Sequence, residues 1–245
     1  MEHAALQRES TLPGVRHALM VFTSPRALYA RVEDTGAYGW VLVTLLGLVM
    51  LIGYIQVQSG LIDRSVELRT DNRLRELEES QSALVDRIEL KDKMESIRKA
   101  GQFERLITRL GVIVLNPIYL LASFLLITSV FYALVALTGR KPEYHTLMSI
   151  CVYAGFIELA GYVLQVSMML YYQTDQIDTS LAGLGVPGKP TVLAAIDPFR
   201  IWFWVLAAVG LVVTRQLGRR MAVATCAVMC LVAMGARAAM QFAPS

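Results

Sequence analysis

Charge is scarce in this sequence. Asp, Glu, Lys and Arg make up 18% of its 245 residues, where soluble domains carry about a quarter. Apolar residues make up 55%, a balance that excludes an ordinary soluble domain and points to a chain that lives in a bilayer. Cysteine and histidine are rarer still, with three of each. Cys151, Cys226 and Cys230 fall in apolar runs, where cysteine packs as a small hydrophobe. His3, His17 and His145 fall in segments expected on the cytoplasmic side, so no metal site and no cofactor is expected.

Other absences narrow the function. An apolar core within the first ~30 residues is missing, so no secretory signal peptide is expected and the N-terminus is read as retained. There is no HExxH, no GxSxG and no pair of intramembrane aspartates, which leaves hydrolytic chemistry without carriers. "GLGVPGKP", residues 183–190, has the spacing of a phosphate-binding loop through Lys189. Pro190, however, stands where a Ser or Thr would hold magnesium, so a plain glycine-rich connection is the simpler reading. No enzyme is expected. The net charge of +3 is small and dispersed over several loops, which speaks against nucleic acid as a partner.

What the chain has in abundance is long apolar runs. Residues 40–57, 111–138, 147–172, 199–214 and 221–241 read as five membrane spans near the ~20 residues a bilayer requires, the fourth being short. Arg8, Arg16, Arg26 and Arg31 precede the first span, Arg140 and Lys141 follow the second, and Arg215, Arg219 and Arg220 follow the fourth. The opposite side has Lys189, Arg200 and Arg237, so the basic excess places the N-terminus in the cytoplasm and the C-terminus outside. Tyr38 and Trp40 at one level, and Tyr171, Tyr172, Trp202 and Trp204 at the other, suit the two headgroup layers. "IDPFR" carries a helix start, with Asp197 as cap and Pro198 at the first helical position. "TSPRALYARVED" repeats it: Ser24 caps, Pro25 starts, and Leu28 and Val32 share a face of a short helix expected to lie on the inner leaflet.

Between the first two spans the chain turns polar. Residues 61–110 hold 11 basic and 11 acidic residues, no proline and one glycine, Gly101, a composition that favours helix. Leu74, Leu77, Leu84 and Ile88 recur at helical spacing, and Phe103, Leu106, Ile107 and Leu110 form a second face near the membrane. Both ends return to adjacent spans, so the segment reads as an antiparallel helical hairpin turning near "EESQSA", with arms reaching ~30 Å. Its apolar stripes either satisfy each other or dock a second protein; the two readings stand side by side.

Glu158 sits near the middle of the third span, and an ionisable group there is costly and a candidate for function. At 1.5 Å per residue it lies ~16 Å along its helix and Arg237 ~24 Å along the fifth, within reach of an arginine side chain if the helices are neighbours. Gln165, and Asn116 before an expected break at Pro117, lie in the same outer half. Glu158, Arg237, Gln165 and Asn116 thus form a candidate polar cluster that fixes helix packing, serves a proton or substrate relay, or contacts a partner subunit.

Three stretches also resemble a known family: "FTSPRALYARVED" before the first span, "NPIYLLASFLLITSVFYALVALTGRKPEYHTLMSICVYAGFIE" across the second and third, and "IDPFRIWFWVLAAVGLVV" at the fourth. In that order they resemble the bacterial branch of the Yip1 family. The resemblance implies five transmembrane helices with a cytoplasmic N-terminus. The "DLYGP" signature of eukaryotic relatives, which bind small GTPases, is absent, so that partner class is not carried over. Some bacterial members accompany ABC-type exporters and their periplasmic adaptor proteins, which implies an accessory role. Many relatives have a proline after the "YA" of the third span where this chain reads "YAGFIE", so Glu158 inherits no role.

The resulting expectation is an all-α polytopic membrane protein: a cytoplasmic segment with an interfacial helix (1–39), a first span (40–58), an extracytoplasmic charged hairpin (59–110) and a four-helix bundle with short loops (111–245). Its place is the bacterial cytoplasmic membrane, as a non-catalytic subunit beside an ABC transporter subunit or periplasmic adaptor, with homo-oligomers possible. The alternative is a self-contained small transporter or channel built on Glu158.

Overall fold

In the computed structural model the described residues are 15–32, 34, 36–81, 87–174, 177, 179–180 and 196–242. Their regular structure is all helical, with no strand among them: α1 (Val15–Thr23), α2 (Pro25–Tyr29), α3 (Tyr38–Gln58), α4 (Leu61–Gln81), α5 (Arg87–Leu110), a π-helical turn (Gly111–Leu115), α6 (Asn116–Leu137), α7 (Tyr144–Tyr172), α8 (Pro198–Val213) and α9 (Arg219–Phe242). The apolar runs and the helices agree to within a few residues, because a run of uniformly apolar residues has only one way to satisfy its backbone in lipid. The helical stretches Tyr38–Gln58, Lys91–Leu137, Tyr144–Tyr172 and Arg219–Ala239 are long and apolar enough to cross a membrane. Helix α8 has 16 residues, ~24 Å of rise against a hydrocarbon core of ~30 Å.

The chain forms two compact units. Met1–Leu45, Phe124–Glu158 and Phe199–Ala233 make the first, and Leu46–Ser123, Leu159–Pro198 and Met234–Ser245 the second. In the first, α7 is buried on every side from Thr146 to Ile157, as expected of a helix that is apolar all round. Leu147 and Ile150 of α7, Phe131 and Val135 of α6, and Ala207 and Leu211 of α8 are all fully enclosed. Two glycines let helices approach. A Cβ at Gly210 of α8 would stand 2.6 Å from Ile150 Cγ2, and one at Gly155 would strike the Phe124 ring, which stacks on Phe203 at 6.5 Å between centroids.

The amino-terminal segment differs in detail from the expected helix. Helix α2 starts at Pro25, but the Ser24 side chain makes no capping bond, and the helix ends at Tyr29, so Val32 lies beyond it. Leu28 and Tyr29 are 2% and 1% exposed, covered by protein rather than by lipid. Burial beside Cys151 and Tyr153 pushes the Tyr29 phenol well above its usual range and keeps it neutral.

In the second unit α4 and α5 pack against each other. The expected break at Pro117 does not occur. Proline lacks the N–H that would continue the ladder, and the five-residue π-turn just before it takes up the mismatch, with Asn116 N–H donating to the Gly111 carbonyl. Helix therefore continues from α5 into α6. Across from this turn a Cβ at Gly53 of α3 would lie 2.7 Å from the Val112 carbonyl oxygen, so the two backbones approach as only small residues allow.

Candidate functional site

The charged arm is held together by pairs that run in opposite chain directions. Arg109 of α5 forks onto Asp63 of α4, its Nε donating to Oδ1 at 3.0 Å, and Arg105 approaches the same carboxylate at 3.8 Å. Farther along, Arg69 and Arg73 lie 3.7 and 3.4 Å from Glu104. One turn beyond Glu104, at the level of Arg69 and Arg73, an added Cβ on Gly101 would meet Thr70 Oγ1 at 2.6 Å, so Gly101 is a contact point that lets the helices touch. Leu74 and Leu77 are half-buried. Leu84 lies outside the described residues, as does the expected turn at 82–86, and for Ile88 only the backbone in α5 is described. Phe103, Leu106, Ile107 and Leu110 are 64%, 55%, 48% and 52% exposed.

The intramembrane polar residues find separate partners. Glu158 of α7, in the first unit, lies 3.9 Å from Arg200 in the first turn of α8. In the second unit Arg237 of α9 lies 3.5 Å from Asp197, which engages this guanidinium at the position read as a helix cap. Gln165 donates to the Ile177 carbonyl at 2.9 Å and so ties α7 to the chain that follows it. Asn116 reaches the Tyr162 hydroxyl, which in turn donates to Gln56 Oε1 at 3.0 Å. This links α3, α6 and α7 in a polar junction of the kind that fixes helix packing in lipid.

The pairings of Arg200 with Glu158 and of Asp197 with Arg237, and the parts of Gln56 and Tyr162, escaped the sequence reading. Arg200 stood out only as a basic residue at the outer end of the fourth span, Gln56 is an isolated polar residue near the end of α3, and Tyr162 lies within α7. The available signal for Arg200 was an intramembrane acid in need of a cation, a need the sequence reading had met with Arg237.

A second polar lattice organises the start of α7 in the first unit. Asp34 Oδ1 accepts from the N–H groups of His145 and Thr146 at 3.1 and 3.2 Å, capping a helix more than a hundred residues away in sequence. Glu143 Oε2 accepts from Thr146 Oγ1 and Gln216 Nε2, each at 3.0 Å, and Arg140 donates to the Arg215 carbonyl at 2.7 Å. Arg215 itself has a φ of 60°. The lattice ties the start of α7 to Asp34 and to the turn that follows α8. Among the described residues no group of His, Cys, Asp and Glu is arranged to hold a metal ion, and the 183–190 loop lies outside them.

The Yip1 domain pattern matches residues 19–240, which takes in every described helix from α2 to α8 and most of α1 and α9. No curated protein and no solved structure matches the chain.

Proposed function

The chain belongs to the Yip1 family, and from that premise we propose that it is a non-catalytic accessory subunit of a bacterial cytoplasmic-membrane complex. In this reading α8 is a fifth, short span, the N-terminus is cytoplasmic and the C-terminus extracytoplasmic, in keeping with the basic residues flanking the spans. Helices α4 and α5 form an extracytoplasmic hairpin that docks onto a protein partner, an ABC transporter subunit or the periplasmic adaptor of an ABC-type exporter. The observation that carries the reading is the arm: two paired helices of 21 and 24 residues whose charges balance and whose leucines at 74 and 77 stay partly open. Packing between α4 and α5 is not the whole use of their apolar faces.

The test is affinity purification from native membranes in mild detergent. Deleting residues 70–99 should leave membrane insertion intact and release the partner; unchanged recovery of the complex sinks the docking role.

A second reading rests on the Glu158–Arg200 pair, a charged contact inside the membrane that a small transporter or channel could use. Purified protein in liposomes discriminates the two. Flux that is lost in Glu158→Gln supports the transporter; absence of flux in the wild type supports the accessory subunit.

A further inference from the structure

One rim of the first unit gathers exposed cations. Arg140 and Lys141 lie between α6 and α7, Arg215 lies between α8 and α9, and Arg219 and Arg220 open α9. Hydrogen bonds join the two connections into one surface. The Arg140 guanidinium donates to the Arg215 carbonyl, and Gln216 accepts from the Glu143 N–H at 3.3 Å while donating to its Oε2 at 3.0 Å. The placements are costly for positive charge. The first turn of α9 has no acidic residue and bears the positive end of the helix dipole, yet two arginines stand there. Helix α8 closes on Arg215 with a φ of 60°, a position where helices usually carry glycine. The nearby acids do not offset these charges, because Asp34 Oδ1 is taken by two N–H groups of α7 and Glu143 Oε2 by Thr146 and Gln216. Among the described residues no carboxylate pairs with any of these cations. The basic excess usual at span ends explains why the connections carry Lys and Arg; it does not explain why they are drawn together while the acids are turned onto neutral donors.

We propose that this rim binds the headgroup of an anionic phospholipid. Depth selects the bilayer as the source of the anion. The stretch Arg219–Ala239 is long and apolar enough to span, with 21 residues and a rise of ~30 Å that matches the hydrocarbon core, so Arg219 and Arg220 stand where the core gives way to headgroups. Arg140 and Arg215 follow closely on the ends of α6 at Leu137 and α8 at Val213, within about 10 Å of chain. Lipid phosphates are the anions already present at that level, and arginine forks suit their paired oxygens. The same arrangement sets the lipid class. A choline or ethanolamine headgroup carries an ammonium beside its phosphate, and with Asp34 and Glu143 engaged the rim meets that ammonium with like charge. A glycerol headgroup brings hydroxyls and no cation, so phosphatidylglycerol is favoured over zwitterionic lipid. The inference rests on the chain's place in a bilayer and not on the docking role of the arm, which lies in the second unit.

Native mass spectrometry of the delipidated full-length protein in detergent, titrated with phosphatidylglycerol or with phosphatidylcholine of the same chains, tests this. A cation near an anionic lipid surface is worth about fivefold in affinity, so Lys141→Gln should weaken phosphatidylglycerol retention about fivefold and Arg219→Gln with Arg220→Gln by more, while phosphatidylcholine retention stays as in wild type. Lys141 makes no hydrogen bond to a described residue, so its replacement leaves the joined connections in place and reads charge alone. Lys91→Gln with Arg98→Gln, exposed positions on the arm, removes the same charge as the arginine pair and should change neither lipid. Equal retention of the two lipids by wild type overturns the proposal, as does a loss in the arm control that matches the loss at the rim. Displacement of phosphatidylglycerol by millimolar inorganic phosphate overturns it in favour of a site for a soluble anion. None of these outcomes bears on recovery of a partner by the arm, so the two readings fail separately.

Discussion

Glu158 and Arg200 face each other at 3.9 Å from neighbouring helices, with side chains only 28% and 24% exposed. A charge held in this way costs more to strand than the pair contributes, since removing one member leaves the other without compensation. Glu158→Gln or Arg200→Gln alone should therefore lower stability by about 1–3 kcal/mol, while the double replacement should cost clearly less than the sum. Thermal unfolding of the four proteins in detergent completes the cycle, and strict additivity would show that the two side chains do not interact.

Gly210 is predicted to resist even the smallest side chain. A Cβ there would lie 2.6 Å from Ile150 Cγ2, and a β-branched residue in a helix has no alternative rotamer to retreat into. Gly210→Ala should cost about 1–3 kcal/mol, and the double variant with Ile150→Ala should lose less than the sum of the two single losses, because the smaller side chain clears the contact. A melting temperature for Gly210→Ala equal to that of wild type would mean that α7 and α8 are not packed this closely.

The positions of the helices were readable because an apolar run of span length announces itself residue by residue, as 147–172 does for α7. Partner choice was not readable. Glu158 meets Arg200 and Arg237 meets Asp197 because of which helices are neighbours, and helical periodicity carries no information on neighbours. The same gap hid Asp34, whose role as a cap depends on a helix that begins 110 residues later. At Pro117 the missing N–H was visible in sequence, but its usual consequence, a break, was replaced by a π-turn that could be recognised only from the backbone. The Leu28 face was legible as apolar; that protein rather than lipid covers it was not.

Asp34 should behave as a true cap in spite of its distance along the chain. Its Oδ1 takes two of the unpaired N–H groups at the start of α7, so Asp34→Ala should cost about 0.5–2 kcal/mol, whereas Asp34→Asn, which keeps an acceptor, should lose only a fraction of that. Proteolysis of the loop before α7 under native conditions offers an independent readout. Equal protection in Asp34→Ala and wild type would remove the cap from the account.

The base of the arm hangs on one carboxylate. Asp63 receives the fork of Arg109 and the approach of Arg105, so replacing it leaves two guanidiniums side by side with nothing between them, and α4 loses its hold on α5 at the end nearest the span. Asp63→Ala should speed hydrogen exchange across the first turns of α4 while leaving α7 as protected as before, because α7 draws its order from packing and not from this pair. Asp63→Glu, which restores the charge at a longer reach, should recover most of the protection. If Asp63→Ala instead leaves α4 unchanged, the helix pair is held by the Gly101–Thr70 contact and Glu104 with its two arginines, and Gly101→Val becomes the substitution that separates the two helices.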